Sequence, residues 1–174
     1  IPSVTAPSFM AMNKHTGEVY WTDSSPGSNI LHGQWSSPTV GIISGEPQVI
    51  FAGGDGWVYS FRADEGVDGK PELLWRFDAN PKTSEWKLRG NGTRNNIIAT
   101  PVIYQNLLYV AVGQDPEHGE GNGHLWCIDP SKRGDVSSEL AVKVNDRKTS
   151  IPHRRIQAVI EEEGEIAIDN PNSA

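Results

Sequence analysis

The sequence predicts an all-β protein built from a repeated antiparallel sheet of four strands. Short runs of apolar and aromatic residues alternate with turn residues, and the 174 residues include 18 glycines and 12 prolines. Segments of the same type also recur along the chain, which is typical of repeat proteins. Helical periodicity is nearly absent, since residues 155–160 fit an alternating strand about as well as a helix.

The clearest single element is a hairpin in residues 49–61, which read VIFAGGDGWVYSF. Two apolar strands flank a Gly-Asp-Gly turn, where glycine supplies the positive φ that tight hairpins require. A further strand with a tryptophan follows in residues 73–77, LLWRF. This stretch therefore predicts three consecutive antiparallel strands.

Related segments lie on either side of this hairpin. Residues 58–61 (VYSF) align with residues 9–12 (FMAM) and with residues 125–128 (LWCI). A strand led by proline precedes each full unit, in residues 37–40 and 100–103. The distances between aligned segments are unequal, which indicates insertions in the loops. Without those insertions the distances suit four-stranded units of about 40 to 50 residues.

Three motifs resemble the PQQ-type (quinoprotein-like) β-propeller repeat. They are AMNKHTGEVYW in residues 11–21, SPTV in residues 37–40 and IFAGGDGWVY in residues 50–59. The resemblance covers roughly residues 9–130, and it departs from the family pattern at Asn13, where aspartate is usual, and at Arg62. It implies blades of four antiparallel strands.

The resemblance implies about two and a half blades. Residues 9–23 would end one blade, residues 37–77 would form a full blade, residues 99–144 a further blade and residues 145–174 a loop-rich tail. A closed ring of this family takes roughly six to eight blades. We therefore expect an incomplete ring, an internal fragment of a larger bacterial protein, and the family suggests export to the periplasm.

Eight residues carry the repeat and are expected to form its turns and sheet contacts. Trp21 and Trp75 would pack against the neighbouring blade, because a large ring buries much area between stacked sheets. The full set is Gly17, Trp21, Pro38, Asp55, Gly56, Trp75, Pro101 and Gly123.

Two functions from different classes agree with the resemblance. The favoured one is a non-enzymatic scaffold or interaction module, whose partners are proteins or the remaining blades. The alternative is part of a PQQ-dependent oxidoreductase whose quinone and Ca²⁺ ligands lie mostly outside this fragment. No catalytic residue is assigned, and the single cysteine, Cys127, excludes the vicinal disulfide of many such enzymes from this chain.

Two loops carry candidate ligand-binding residues. Carboxylates and imidazoles that suit a metal ion are Asp115, Glu117, His118, Glu120 and His124. A solvated acidic connection is the favoured alternative for that loop. In the long connection of residues 85–96, the residues that would bind a sugar, a peptide or a quinone-like ring are Trp86, Arg89, Arg94 and Asn95. Packing of this connection against the sheet is the other interpretation.

The charge distribution argues against nucleic acid as a partner. Acidic residues outnumber basic ones by 22 to 15, whereas phosphate backbones are bound by clustered lysine and arginine. The basic run of residues 153–155 is followed by the acidic run of residues 161–163, and we predict that both lie in a solvated loop. No apolar run approaches the roughly 18 residues that a membrane helix needs.

Overall fold

The computed structural model describes residues 6–88, 91–114 and 122–174, and in this part of the chain the regular structure is almost entirely β-strand. The strands form several sheets with mostly antiparallel pairing, and none of the described sheets is closed. The all-β class and the antiparallel pairing predicted from the sequence are confirmed.

The first two strands form a hairpin of their own. They are β1 (Phe9–Met12) and β2 (Val19–Asp23), which pair antiparallel. Gly17 has a φ of 75° in the turn between them, a conformation that glycine adopts without steric cost.

Four consecutive antiparallel strands form the largest sheet. They are β3 (Thr39–Ile43), β4 (Glu46–Ala52), β5 (Trp57–Arg62) and β6 (Leu73–Asp78). A fifth strand comes from later in the chain, because β10 (Gly134–Asp135) adds parallel to β6. Within the described residues the sheet order is therefore β10-β6-β5-β4-β3.

The next sheet has three described strands. They are β7 (Val102–Tyr104), β8 (Leu107–Val112) and β9 (His124–Ile128), paired in that order. The chain then leaves this sheet for β10, so no fourth strand from residues 129–144 joins it. Val136 donates its backbone N–H to the carbonyl of Arg76 at 2.9 Å, which extends the contact between β10 and β6.

The last sheet lies in the C-terminal part of the chain. It consists of β11 (Glu139–Lys143), β12 (Asp146–Ser150) and β13 (Glu165–Asp169), with β11 in the centre. Residues 145–174, expected as a loop-rich tail, thus contribute two strands with an irregular segment between them. That segment includes a short 3₁₀ turn, Glu161–Glu163.

The main hydrophobic core lies between the five-stranded sheet and the β7–β9 sheet. Residues from both sheets share it, among them Ile50 and Trp75 on one side and Leu108, Val110 and Ile128 on the other. A second, aromatic cluster joins the β1–β2 hairpin to the five-stranded sheet. These two junctions hold consecutive sheets together and position the polar groups described next.

Candidate functional site: a buried polar network

The hairpin turn between β4 and β5 holds a carboxylate that is completely buried. Asp55 accepts hydrogen bonds from the backbone N–H of Trp57 at 3.2 Å and from the hydroxyl of Tyr59 at 2.5 Å. Nε2 of His153 lies 3.1 Å from the same carboxylate. Burial, followed by the negative charge of Asp55, raises the pKa of Tyr59 well above its ordinary value, so the phenol stays a donor.

A second buried carboxylate lies at the end of β6. Asp78 accepts hydrogen bonds from Nη2 of Arg94 at 2.9 Å and from Nζ of Lys82 at 2.8 Å. All three side chains are at most 4% exposed. Burial alone would raise the pKa of Asp78, but the charges and hydrogen bonds of these two cations outweigh it and hold the pKa below its ordinary value. Asp78 is therefore a permanent anion between two cations.

Trp57 lies between these charged groups. Nζ of Lys82 is 4.3 Å and Cζ of Arg76 is 5.1 Å from its ring centroid, distances at which the ring quadrupole attracts a cation. The imidazole of His153 packs against the same ring, with centroids 4.9 Å apart. Trp57 therefore joins the Asp55 group to the Asp78 group.

The connection after β6 is tied into the network by two asparagines. Asn80 accepts the backbone N–H of Asn95 at 2.7 Å and donates its side-chain amide to the Asn95 carbonyl at 3.1 Å. Arg94 reaches the carbonyl of Asp55 at 3.3 Å. The long connection and the β4–β5 turn are thus fixed to each other by buried polar contacts.

The cavity beside Trp57 is small. Its volume of about 20 Å³ is enough for about one water molecule, and its lining includes Trp57, Lys82 and His153. Nε1 of Trp57 and Nδ1 of His153 are buried and have no hydrogen-bond partner among the described residues. The arrangement can bind solvent and fix charges in place, but it leaves no room for a larger substrate.

The basic run of residues 153–155 lies in an irregular, partly exposed segment, but its side chains contact distant parts of the chain and are not simply solvated as predicted. His153 contacts Asp55, and Arg154 forms an ion pair with the buried Glu165. Arg155 donates to the carbonyls of Ile30 at 2.9 Å and Leu31 at 2.7 Å. His153 and Arg155 thus contact acceptors from distant parts of the chain, and Arg154 contacts an acceptor of its own segment. The acidic run, Glu161–Glu163, is exposed as expected.

Glu165 is the anion of this C-terminal segment. It is 2% exposed and accepts from Arg154, from Lys143 at 2.9 Å and from the backbone N–H of Ile160 at 2.8 Å. The hydrogen bond from Arg154 is the largest cause that lowers the pKa of Glu165 from 4.5 to about 2.

The structure places three of the four residues of the predicted binding loop inside the protein. Trp86 is 8%, Arg94 2% and Asn95 completely buried, while Arg89 lies outside the described residues. Cζ of Arg155 covers Trp86 at 4.9 Å from its ring centroid. In the described conformation these three side chains pack the connection against the sheets.

Most of the predicted metal loop lies outside the described residues, namely Asp115, Glu117, His118 and Glu120. His124 begins β9, and its ring stacks on Trp126 with centroids 5.7 Å apart. No group of three or more histidine, cysteine, aspartate or glutamate side chains suited to a metal ion occurs in residues 6–88, 91–114 and 122–174.

The residues assigned to the repeat lie at turns, strand starts and sheet junctions. Trp21 and Trp75 are 2% and 0% exposed. Gly56 has a φ of 80° beside the buried Asp55. Pro38, Pro101 and Gly123 each directly precede a strand.

Sequence reasoning missed Asp78, Lys82 and His153. Asp78 ends an apolar strand and Lys82 follows at i+4, a spacing with a weak charge-pair signal only. His153 is 98 positions from Asp55, so nothing local indicates their contact. The burial of these charged side chains results from the packing of the sheets, which the local sequence does not indicate.

No family model matches this chain, and no curated protein or solved structure is similar enough to count as a match. Among the described residues, no helix has the length and apolar character needed to cross a membrane. The function must therefore be inferred from the geometry of the chain itself.

Proposed function

We propose that this chain is part of a non-enzymatic scaffold of the β-propeller type, in an exported bacterial protein. Its sheets would serve as blades, and its edges and loops would contact the remaining blades or protein partners. The observation that carries the proposal is that consecutive sheets stack on one another through aromatic side chains at two successive junctions.

At the first junction, Trp21 of β2 packs against the five-stranded sheet. Its ring centroid is 5.6 Å from that of Phe61 and 6.3 Å from that of Phe51. At the second junction, Phe77 of β6 meets Trp126 of β9 at 5.2 Å, edge to face. A repeated packing mode supports a stack of similar units, because such units bury their faces only against neighbours.

Two neighbouring edge strands leave apolar side chains in solvent. On β3, Val40 is 67% and Ile42 is 73% exposed, and on β7, Val102 is 57% and Tyr104 is 60% exposed. The strands are close together, since the hydroxyl of Thr39 donates to the carbonyl of Pro101 at 2.5 Å. On each strand these side chains lie on the face turned away from the other strand, since Gly41 of β3 faces Ile103 of β7. Exposed apolar side chains on edge strands mark interaction surfaces, which supports a role as a module that other parts cover.

The polar network also supports a structural role. Asp55 and Asp78 both have their donors within the protein, and the cavity beside Trp57 has room for about one water molecule. Within the described residues, no group of three or more acidic, histidine or cysteine side chains is placed to hold a metal ion.

The scaffold proposal is tested by substituting the exposed edge. We expect the purified chain to self-associate or to bind a hydrophobic dye, and Ile42→Lys with Tyr104→Lys to reduce both. Val144→Lys is the matched control, since Val144 is 53% exposed outside these strands. Equal behaviour of the double variant, the control and the parent chain in sedimentation and dye binding would refute the proposal.

The enzymatic alternative has a separate test. We expect no dye-linked oxidation of alcohols or sugars, and no shift of quinone absorbance, when PQQ and Ca²⁺ are added to the chain. Dye reduction that requires both additions would overturn the non-enzymatic proposal.

A further inference from the structure

An apolar groove of about 390 Å³ runs beside β1. This volume falls in the range of pockets that bind ligands in proteins. Its walls come from the β1–β2 hairpin and from the five-stranded sheet, and they include Met10, Met12, Trp21, Val40, Val49 and Phe51.

The internal repeat shows what is different about β1. Residues 9–12 align with residues 58–61 of β5, so Met10 corresponds to Tyr59 and Met12 to Phe61. Met10 is 43% exposed where Tyr59 is 3% exposed, and Met12 is 49% exposed where Phe61 is 1% exposed. Equivalent positions of the same repeat are therefore covered in one sheet and open in the other.

Tyr59 and Phe61 are covered because the β1–β2 hairpin packs on their face of the sheet, with Phe9 5.7 and 6.1 Å from their ring centroids. Met10 and Met12 alternate with Phe9 along β1 and so lie on the other face of the hairpin. The two strands also differ in their pairing. β5 has β6 on one side and β4 on the other, each antiparallel. Among the described residues, β1 pairs with β2 alone, so the edge that corresponds to the β4 side of β5 is free. An unpaired edge strand offers a row of backbone donors and acceptors to an incoming strand.

The rim of the groove is acidic. Asp64 and Glu65 belong to its lining. Arg62 is a cation that contacts this rim: its Nε is 3.9 Å from Asp64 but 2.6 Å from Glu72, and its Nη1 is 2.7 Å from Glu46. Carboxylates outnumber this cation, so the rim favours a basic occupant over a second copy of this acidic chain.

We propose that the groove binds one extended β-strand of apolar and basic character, in the place beside β1 that β4 takes beside β5. The strand pairs antiparallel with β1, covers Met10, Met12 and Val40, and brings a basic side chain near Asp64 and Glu65. The proposal rests on the proposed function, and the strand's source is a neighbouring unit of the same scaffold.

The probe is a synthetic peptide of residues 45–53, which contains β4, and a second peptide that carries Glu46→Lys. We expect the lysine peptide to bind more tightly, by up to about fivefold, and this advantage to shrink in high salt. Fluorescence anisotropy of labelled peptides measures both affinities. A scrambled peptide of the same composition is the peptide control.

Chain variants locate the site. Met12→Lys in the chain should weaken peptide binding by about tenfold, because the apolar area that the Met12 side chain buries against the peptide is lost. Leu125→Lys is the matched control, since Leu125 is 74% exposed on β9 and does not line the groove. Circular dichroism checks that both variants fold, which exposed positions should permit.

The outcomes separate this proposal from the proposed function. Absence of binding by either peptide, or binding that Met12→Lys leaves unchanged, would overturn it. So would a dimer that Met12→Lys abolishes, because the occupant would then be a second copy. If the peptide fails while Ile42→Lys with Tyr104→Lys still reduces self-association, the scaffold proposal stands and this one falls.

Discussion

At Asp78, two cations converge on one buried carboxylate at the end of a core strand. The charges of Arg94 and Lys82 are not solvated by water in this conformation, since their side chains are 0% and 4% exposed. Pairs of this kind add little when intact, but removing one partner leaves an uncompensated charge in the interior. The network is therefore most sensitive at its anion.

We predict that Asp78→Asn lowers the free energy of unfolding by about 3 to 5 kcal/mol, because two buried cations lose their counter-charge. Urea denaturation followed by tryptophan fluorescence measures this. Glu72→Gln is the control, since Glu72 pairs with Arg62 at the surface, where solvent screens the pair and its loss should cost far less. Similar losses for the two variants would contradict the prediction.

Glu165 makes stability depend on pH. Its pKa of about 2 lies below its ordinary value, so its contribution is complete above pH 4.5 and is lost as the pH falls toward 2. We expect Glu165→Gln to be less stable than the parent at pH 7 and the difference to vanish near pH 2. Unfolding curves at several pH values test this. A difference that is constant with pH would exclude the ion pairs of Glu165 as its origin.

The turn residues show what sequence reasoning can find at this scale. Asp55 and Gly56 form a hairpin turn, as the local pattern predicts, because turn chemistry is encoded within a few neighbouring residues. The contact of Asp55 with His153 was not predictable, since it depends on how distant segments assemble. The same holds for Arg94, which the sequence assigned to a binding loop.

At the scale of elements, the segment from His153 to Arg155 fastens the C-terminal sheet to the rest of the protein. Arg155 bonds two carbonyls that precede β3, and the backbone N–H of Trp86 bonds the carbonyl of Ile156 at 2.8 Å. These contacts join parts of the chain that are far apart in sequence. Local opening of the C-terminal sheet away from the rest of the protein should therefore require these hydrogen bonds to break.

We predict that Arg155→Ala costs about 1.5 to 3 kcal/mol, because two buried carbonyls lose a charged donor and Trp86 loses its cation. Amide exchange in residues 79–88 and 91–96 should become faster. Arg147→Ala on the exposed strand β12 should change stability by less than about 0.5 kcal/mol. Unchanged exchange in Arg155→Ala would show that this arginine does not hold the connection.

Strands with apolar alternation were predictable, whereas short or polar ones were not. The strands from β3 to β6 match the apolar runs of residues 39–77. β4 alternates between more and less buried residues, whereas β5 is buried on both faces and is a nearly continuous apolar run. β10 has two residues and β12 reads DRKTS, so neither carries such a period. Their pairing is set by partners elsewhere in the fold.

At the scale of the whole molecule, sheets follow one another and share cores. The β1–β2 hairpin packs on the five-stranded sheet, which in turn packs on the β7–β9 sheet. The sequence predicted an all-β chain with antiparallel strands, and the structure has several such sheets. The sequence could not predict that β10 would add to β6. The two strands are separated in sequence by the whole β7–β9 sheet, and their parallel pairing leaves no local pattern.

The stacking of successive sheets is tested most directly by nuclear Overhauser effects between aromatic rings. We predict cross-peaks between Phe77 and Trp126, whose centroids are 5.2 Å apart, and between Phe61 and Trp21, at 5.6 Å. Selective labelling of phenylalanine and tryptophan resolves both pairs. Cross-peaks at both junctions would support the stacked-sheet scaffold, and their absence at either junction in the folded chain would contradict it.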